Sequence, residues 1–141
     1  MILLDTDHLT ILSYADAPRA HALDTRLKNS ADREIGTTII SVEEQWRGWF
    51  AVIARHRDVR RQVKPYHELV DLHAFLSGWS ILPFDEAAAD RFEQLRASGV
   101  RIVSMDLKIA SIALVHGALV LSANLQDFHK VPGLRVENWL Q

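Results

Sequence analysis

The sequence predicts an α/β fold in which helices cover a central parallel sheet of four to five strands. Short apolar or β-branched runs recur along the chain, and most are followed by segments with apolar residues at helical spacing. This alternation of strands and helices is typical of parallel sheets. The first run, residues 1–4, is apolar at every position, as expected for a strand that is covered on both faces.

Capping and breaking residues set the bounds of the remaining elements. Six helices are predicted, over residues 7–15, 18–27, 42–56, 68–76, 86–98 and 107–115. Four further strands are predicted, at residues 34–40, 80–84, 118–122 and 134–137. Asp85 favours a helix start, whereas Pro65 should interrupt a helix and Gly117 should end one. Ser41 and Glu44 have the spacing of a capping box at the start of the third helix.

Composition limits the classes of function. The 141 residues suit one domain over residues 1–141. The chain has no cysteine, so any bound metal would need oxygen or imidazole ligands. A formal charge of −2 gives no general affinity for nucleic acid, which would have to bind at a local basic patch. No basic leader precedes the first apolar run, and residues 110–123 are too few to span a bilayer. We therefore expect a soluble cytoplasmic protein.

Four carboxylates should converge at one edge of the predicted sheet. Asp5, Glu44, Asp106 and Asp127 all lie just past strand ends or in first helical turns. Ligands of parallel sheets bind at this edge, outside the carboxyl ends of the strands. Like charges packed closely repel one another unless a divalent cation neutralises them. Oxygen ligands suit Mg²⁺ or Mn²⁺, which would activate a water for attack on a phosphodiester.

Each acidic position also has a purely structural interpretation. Asp7 fits best as the N-cap of the first helix, and Glu44 could be only the last residue of the capping box. Asp106 could be only an acid that a helix N-terminus favours, and Asp127 only a turn residue. The joint placement of the acids, rather than any one of them, favours a metal site.

Four segments of the chain resemble the PIN-domain family, and within it the VapC-type toxins of toxin–antitoxin pairs. They are LLDTDHL at residues 3–9, ISVEEQWRG at residues 40–48, DLKIA at residues 106–110 and LSANLQDF at residues 121–128. In the second segment, the acid that stands four residues before the glycine is Glu44 rather than Glu43.

The resemblance implies a three-layer α/β/α sandwich and a Mg²⁺-dependent endoribonuclease. It further implies cleavage of single-stranded or loop RNA, with tRNA or rRNA as substrate, a homodimer, and inhibition by a cognate antitoxin in the active-site groove. The implied metal ligands and catalytic residues are Asp5, Glu44, Asp106 and Asp127.

The fourth segment departs from the family pattern. Asn124 stands where many members have an acid, so Asp127 alone would supply the fourth carboxylate, and a second metal is in question. Ser122 could bond a ligand carboxylate or a metal-bound water, or simply end the strand. Ser122, Asn124 and Thr6, which is next to Asp5, are the three residues expected to support the metal ligands.

Two surface segments are candidates for binding macromolecules. A basic segment comprises Arg55, Arg57, Arg60, Arg61 and Lys64, with only Asp58 opposing it. It would suit RNA phosphates, or it could be a solvated helical face. An apolar stripe comprises Trp46, Trp49 and Phe50, which could pack in the core or form a dimer or antitoxin surface.

Two other functions remain open. The pattern at residues 5–7 also resembles the Asp-x-Asp-x-Thr motif of haloacid-dehalogenase-type phosphotransferases, in which Asp5 would be a covalent nucleophile. Leu9, however, stands where that motif has its threonine. The remaining alternative is a catalytically degenerate PIN-like module, whose acidic pocket would serve binding or regulation only.

Overall fold

Five strands form one parallel sheet in the computed structural model, which describes residues 1–140. The strands are β1 (Ile2–Leu4), β2 (Ile35–Thr38), β3 (Ser80–Leu82), β4 (Leu119–Leu121) and β5 (Arg135–Glu137). Their order in the sheet is β3-β2-β1-β4-β5, and every neighbouring pair is parallel. The predicted parallel α/β sheet is therefore confirmed, with β1 at its centre.

Helices occupy the connections between the strands. They are α1 (Thr6–Ser13), α2 (Pro18–Lys28), α3 (Ile39–Ala54), α4 (Val63–Leu76), α5 (Glu86–Ala97), α6 (Ser104–His116) and α7 (Leu125–Phe128), with a short 3₁₀ helix (Val59–Gln62) before α4. None of the helices within residues 1–140 is long and apolar enough to cross a membrane.

The side chains of β1 enter two separate hydrophobic cores. Leu3 packs on one face of the sheet with residues of α5 and α6. Ile2 and Leu4 pack on the other face with residues of α1, α2, α3 and α4. All three side chains are at most 2% exposed. This burial on both faces explains the continuous apolar run at the start of the chain and confirms the three-layer α/β/α sandwich.

The start of α1 differs from the prediction. Asp5 is the N-cap, and its side chain accepts a hydrogen bond from the Thr6 N–H. The prediction that Asp7 caps this helix is therefore wrong, because Asp7 lies inside the first turn.

The start of α3 differs as well. The helix follows β2 directly, and its N-cap is Thr38, whose Oγ1 accepts from the Ser41 N–H at 3.2 Å. Because Thr38 already supplies the cap, the predicted capping box of Ser41 and Glu44 is wrong. Glu44 instead lies in the second turn of α3, where capping does not require its carboxylate.

Two smaller predictions fail near the middle and the end of the chain. Pro65 does not interrupt a helix, because it lies in the first turn of α4, where a missing N–H costs no helical hydrogen bond. The polar turn expected at residues 123–128 contains the short helix α7. By contrast, Gly117 ends α6 as predicted, in the left-handed conformation at φ +60°.

Candidate active site

Asp5 is the most buried of the predicted site acids. It follows β1 directly, and only 6% of its surface is exposed. Its Oδ1 accepts from the Thr6 N–H at 2.7 Å, and its Oδ2 accepts from the Ser122 hydroxyl at 2.7 Å. Burial raises the pKa of Asp5, and these two hydrogen bonds oppose part of that rise. Ser122 reaches Asp5 because β4, which it follows, is paired with β1.

Glu44 and Asp106 approach Asp5 from the starts of two other helices. Burial, followed by the charges of Asp5 and Asp106, raises the pKa of Glu44 to about 7. Burial, followed by the charge of Asp5, raises the pKa of Asp106 to about 6. A helix N-terminus alone would lower the pKa of Asp106, so its helix position does not explain this rise. The negative charges of these three acids therefore interact across a partly buried space.

Asp127 joins this group through Asn124. The Asn124 side-chain amide donates to Asp106 Oδ2 at 2.9 Å and to Asp127 Oδ2 at 3.1 Å. The hydrogen bond from Asn124, together with Lys130, holds the pKa of Asp127 below its usual range. The structure thus places Asp5, Glu44 and Asp106 close enough for their charges to interact, and Asn124 links Asp106 to Asp127.

Asp7 and His8 form a supporting pair that sequence reasoning did not identify. Asp7 Oδ2 accepts from the Ala123 N–H at 2.9 Å, and Asp7 Oδ1 lies 2.5 Å from His8 Nδ1. Although burial raises the pKa of Asp7, the hydrogen bonds from His8 and Ala123 hold it below its ordinary value. His8 is fully buried and also contacts Trp139. No local pattern reveals this pair, because Ala123 and Trp139 are distant in sequence.

The chemistry of these side chains fits a hard divalent cation. All four acids offer oxygen ligands, and Glu44 Oε1 is buried without a hydrogen-bond partner. Within residues 1–140, no three acidic or histidine side chains form a ready-made ligand group. The acids thus surround a common space without a closed ligand shell. A cation there would relieve their repulsion and satisfy the Glu44 oxygen.

A cavity of about 520 Å³ lies beside this site, between α1, α3 and α4. Its polar residues include Thr6 and Gln45, each of which has a buried side-chain oxygen without a hydrogen-bond partner. Its remaining lining includes Gly48, Trp49, Val52, Glu68, Asp71, Leu72 and Phe75. No Lys or Arg lines this cavity, which instead has acidic residues at Glu68 and Asp71.

The predicted apolar stripe divides between this cavity and the surface. Trp49 lines the cavity and packs against the core that contains Ile2 and Leu4. Trp46 and Phe50 are 38% and 53% exposed. The stripe is therefore partly core, and its exposed part lies next to the cavity.

The predicted basic segment is exposed throughout. Arg55, Arg57, Arg60, Arg61 and Lys64 lie around the end of α3, the 3₁₀ helix and the start of α4. Arg55 follows Glu44 by eleven residues, which corresponds to roughly 16 Å along a helix. The basic segment therefore begins at the opposite end of α3 from Glu44.

Comparison with known proteins gives matches over most of the chain. The family model described as "PIN domain" matches residues 2–134. The tRNA(fMet)-specific endonuclease VapC of Salmonella typhimurium is 31% identical over 83 residues, which cover 56% of this chain and 63% of that protein. Ribonuclease VapC2 of Haemophilus influenzae is 32% identical over 80 residues, which cover 54% of this chain and 61% of that protein. These alignments span less than two thirds of either relative.

Solved structures resemble the chain over nearly its whole length. VapBC2 from Rickettsia felis, bound to a promoter DNA fragment, has a TM-score of 0.71 and 23% identity, covering 99% of each chain. FitAcB from Neisseria gonorrhoeae has a TM-score of 0.68 and 25% identity, covering 99% of this chain and 98% of that chain. The likeness to the Rickettsia structure supports the three-layer fold.

The raised pKa of Glu44 predicts a specific pH dependence of stability. A carboxyl whose pKa is higher in the folded state stabilises that state while protonated, and this contribution is lost as pH rises. For metal-free protein, we expect melting temperature to fall between pH about 4.5 and about 7, and the substitution Glu44→Gln to flatten this fall. Thermal melts of both proteins across this range would show it. Parallel curves for the two proteins would contradict the raised pKa of Glu44.

Proposed function

The chain belongs to the PIN-domain family, and from this premise we propose that it is a divalent-cation-dependent endoribonuclease. The observation that carries the proposal is the grouping of Asp5, Glu44 and Asp106, where burial raises all three pKa values and the charge of Asp5 further raises those of Glu44 and Asp106. The names of the VapC relatives, which describe ribonucleases, support the choice of reaction. Mg²⁺ is the proposed cation, and Mn²⁺ could replace it.

In this proposal the four acids hold the cation. When bound, the cation would lower the pKa of a water and offset charge on the attacked phosphate. The Thr6 N–H and the Ser122 hydroxyl fix the orientation of the Asp5 carboxylate. Glu44 Oε1, which has no hydrogen-bond partner, is free to bind the cation or to accept a proton from the attacking water. No protein nucleophile is required.

We assign the macromolecular partners to the surfaces that flank the acids. The basic segment would bind the RNA backbone, with single-stranded or loop regions of tRNA or rRNA as the substrate. The cavity and the exposed Trp46 and Phe50 would bind a segment of a cognate antitoxin, so that the chain is the toxin of a type II pair. Names of neighbouring solved structures, such as a toxin–antitoxin complex from Klebsiella pneumoniae, support this assignment. A homodimer stays a prediction.

The alternative phosphotransferase has less support. Leu9, which stands where the Asp-x-Asp-x-Thr motif has its threonine, is fully buried and offers no hydroxyl to a phosphoryl group. Trapping a phosphorylated Asp5 would restore this alternative.

RNA cleavage tests the proposed activity. Purified protein with Mg²⁺ should cut defined sites in a small-RNA pool, and EDTA should stop the reaction. Asp5→Asn and Asp106→Asn should each lower the rate by at least about 100-fold, because each removes a carboxylate that the cation requires. Asp90→Asn, at an exposed position of α5, is the matched control and should keep wild-type activity. Intact RNA in all samples would favour the degenerate binding module instead.

Charge reversal tests the proposed RNA surface. Arg57→Glu combined with Arg60→Glu should weaken RNA binding and lower the slope of log affinity against log salt by about one or more, since each phosphate contact contributes roughly 0.7. Arg19→Glu with Arg91→Glu, at exposed positions elsewhere, controls for the change in net charge. Binding isotherms at several salt concentrations supply the slopes. An unchanged slope would remove the basic segment from the RNA surface.

Gly48 offers a test of the proposed antitoxin groove. A Cβ at Gly48 would meet no atom of this chain within 4 Å, although the residue lines the cavity. Gly48→Ala should raise stability by about 1 kcal/mol through helix propensity. The same methyl group should weaken antitoxin binding, because it enters the groove. Melting curves and titration with the cognate antitoxin would measure both effects.

Ala22→Val, at an exposed position of α2, is the control for added volume away from the groove. If Gly48→Ala stabilises the chain and leaves antitoxin affinity unaltered, the antitoxin binds elsewhere.

A further inference from the structure

The loop that follows β4, residues 122–124, forms hydrogen bonds both with the site acids and with α1. On one side, Ser122 and Asn124 donate to the site acids. On the other side, the N–H of the intervening Ala123 donates to Asp7 Oδ2 at 2.9 Å, across 116 residues of sequence. Because Ala123 is itself exposed, this bond to Asp7 is the contact that ties the middle of the loop to α1.

His8 fixes the direction in which the Asp7 carboxylate points. Asp7 Oδ1 accepts from the His8 backbone N–H at 2.6 Å and lies 2.5 Å from His8 Nδ1. With Oδ1 held by two contacts from His8, Oδ2 faces the Ala123 N–H. Asp7 and His8 together therefore determine the position at which the Ala123 N–H is bound.

The C-terminal segment determines which nitrogen of His8 carries the proton. The Trp139 N–H donates to His8 Nε2 at 3.1 Å, so Nε2 must be unprotonated and Nδ1 must carry the hydrogen that is donated to Asp7. His8 is fully buried, so water cannot replace either partner. Trp139 is held independently, with its indole N–H donating to Glu137 at 2.6 Å and Arg26 lying 4.3 Å from its ring centroid.

We propose that Asp7 and His8 are positioning residues, which hold the 122–124 loop so that Asn124 stays bonded to Asp106 and Asp127. This inference rests on the proposed nuclease function. Without the bond to Asp7, the Ala123 N–H turns to water, and the loop is held only by the contacts of Ser122 and Asn124, which include the bond from the Asn124 N–H to the Ser122 hydroxyl at 3.0 Å. Asn124 then leaves Asp106 and Asp127 free to move apart. Turnover falls, whereas RNA binding, which depends on the distant basic segment, is retained.

Two substitutions of His8 separate this role from a contribution to stability alone. In His8→Asn, the amide nitrogen can occupy the place of Nδ1 and donate to Asp7, while the acceptor for Trp139 is lost. In His8→Gln, the longer side chain can accept from Trp139, while the donor to Asp7 is lost. Both substitutions replace the buried imidazole ring with a smaller side chain and leave a cavity, so both should lower the melting temperature. Only one of them keeps the link to the loop.

The experiment combines kinetics with amide hydrogen exchange. Exchange at Ala123 is followed by NMR in metal-free protein, so this readout does not depend on nuclease activity. Because the Asp7 side chain is partly exposed, Asp7→Asn should fold even if the His8 variants do not. Its single amide oxygen cannot accept hydrogen bonds from both His8 and Ala123, so the link to the loop is lost. Asp24→Asn on α2, the same chemical change away from the loop, is the control.

We expect Asp7→Asn and His8→Gln to speed exchange at Ala123 and to lower kcat by between about 10- and 100-fold, with KM within about two-fold of wild type. His8→Asn should keep slow exchange and most of the turnover in spite of its lower melting temperature. Unchanged exchange at Ala123 in Asp7→Asn would overturn the proposal, as would equal kcat values for the two His8 variants. If wild-type protein cuts no RNA, the nuclease proposal fails, and exchange alone decides the positioning role.

Discussion

The repulsion among Asp5, Glu44 and Asp106 is the constraint on which the arrangement of this site depends. Three carboxylates in a partly buried space are unfavourable for a metal-free fold, because burial and then the charge of Asp5 raise the pKa values of Glu44 and Asp106. The sheet nevertheless holds them together, because β1 lies at its centre and both of its faces are covered by hydrophobic cores. The hydrophobic layers thus stabilise a charge arrangement that the acids alone would not adopt.

The sequence was sufficient to predict the parallel sheet and its helical layers, because these follow from repeated local patterns. An apolar run that ends in Asp5 places this acid at the carboxyl edge of a parallel sheet, whereas α6, which carries Asp106, follows α5 rather than a strand. The parallel sheet and the three layers are confirmed. The roles of individual site residues stay proposals.

Local patterns could not resolve choices that depend on distant partners. Asp5 and Asp7 both precede the apolar residues of α1, and only the Ser122 and Ala123 contacts, more than a hundred residues away, distinguish their surroundings. The capping box failed for a related reason. Thr38 already caps α3 and ends β2, so the helix begins before Ser41. That change leaves the Glu44 carboxylate available to the site.

If a divalent cation relieves the repulsion among these acids, its affinity must depend on their ionisation. Calorimetric titration of Mn²⁺ into metal-free protein, at pH 5.5 and pH 8 in buffers of different ionisation enthalpy, measures this dependence. We expect tighter binding at pH 8, proton release on binding at pH 5.5, and an affinity loss of about tenfold or more in Glu44→Gln. An affinity that changes neither with pH nor with this substitution would show that these acids do not bind the cation.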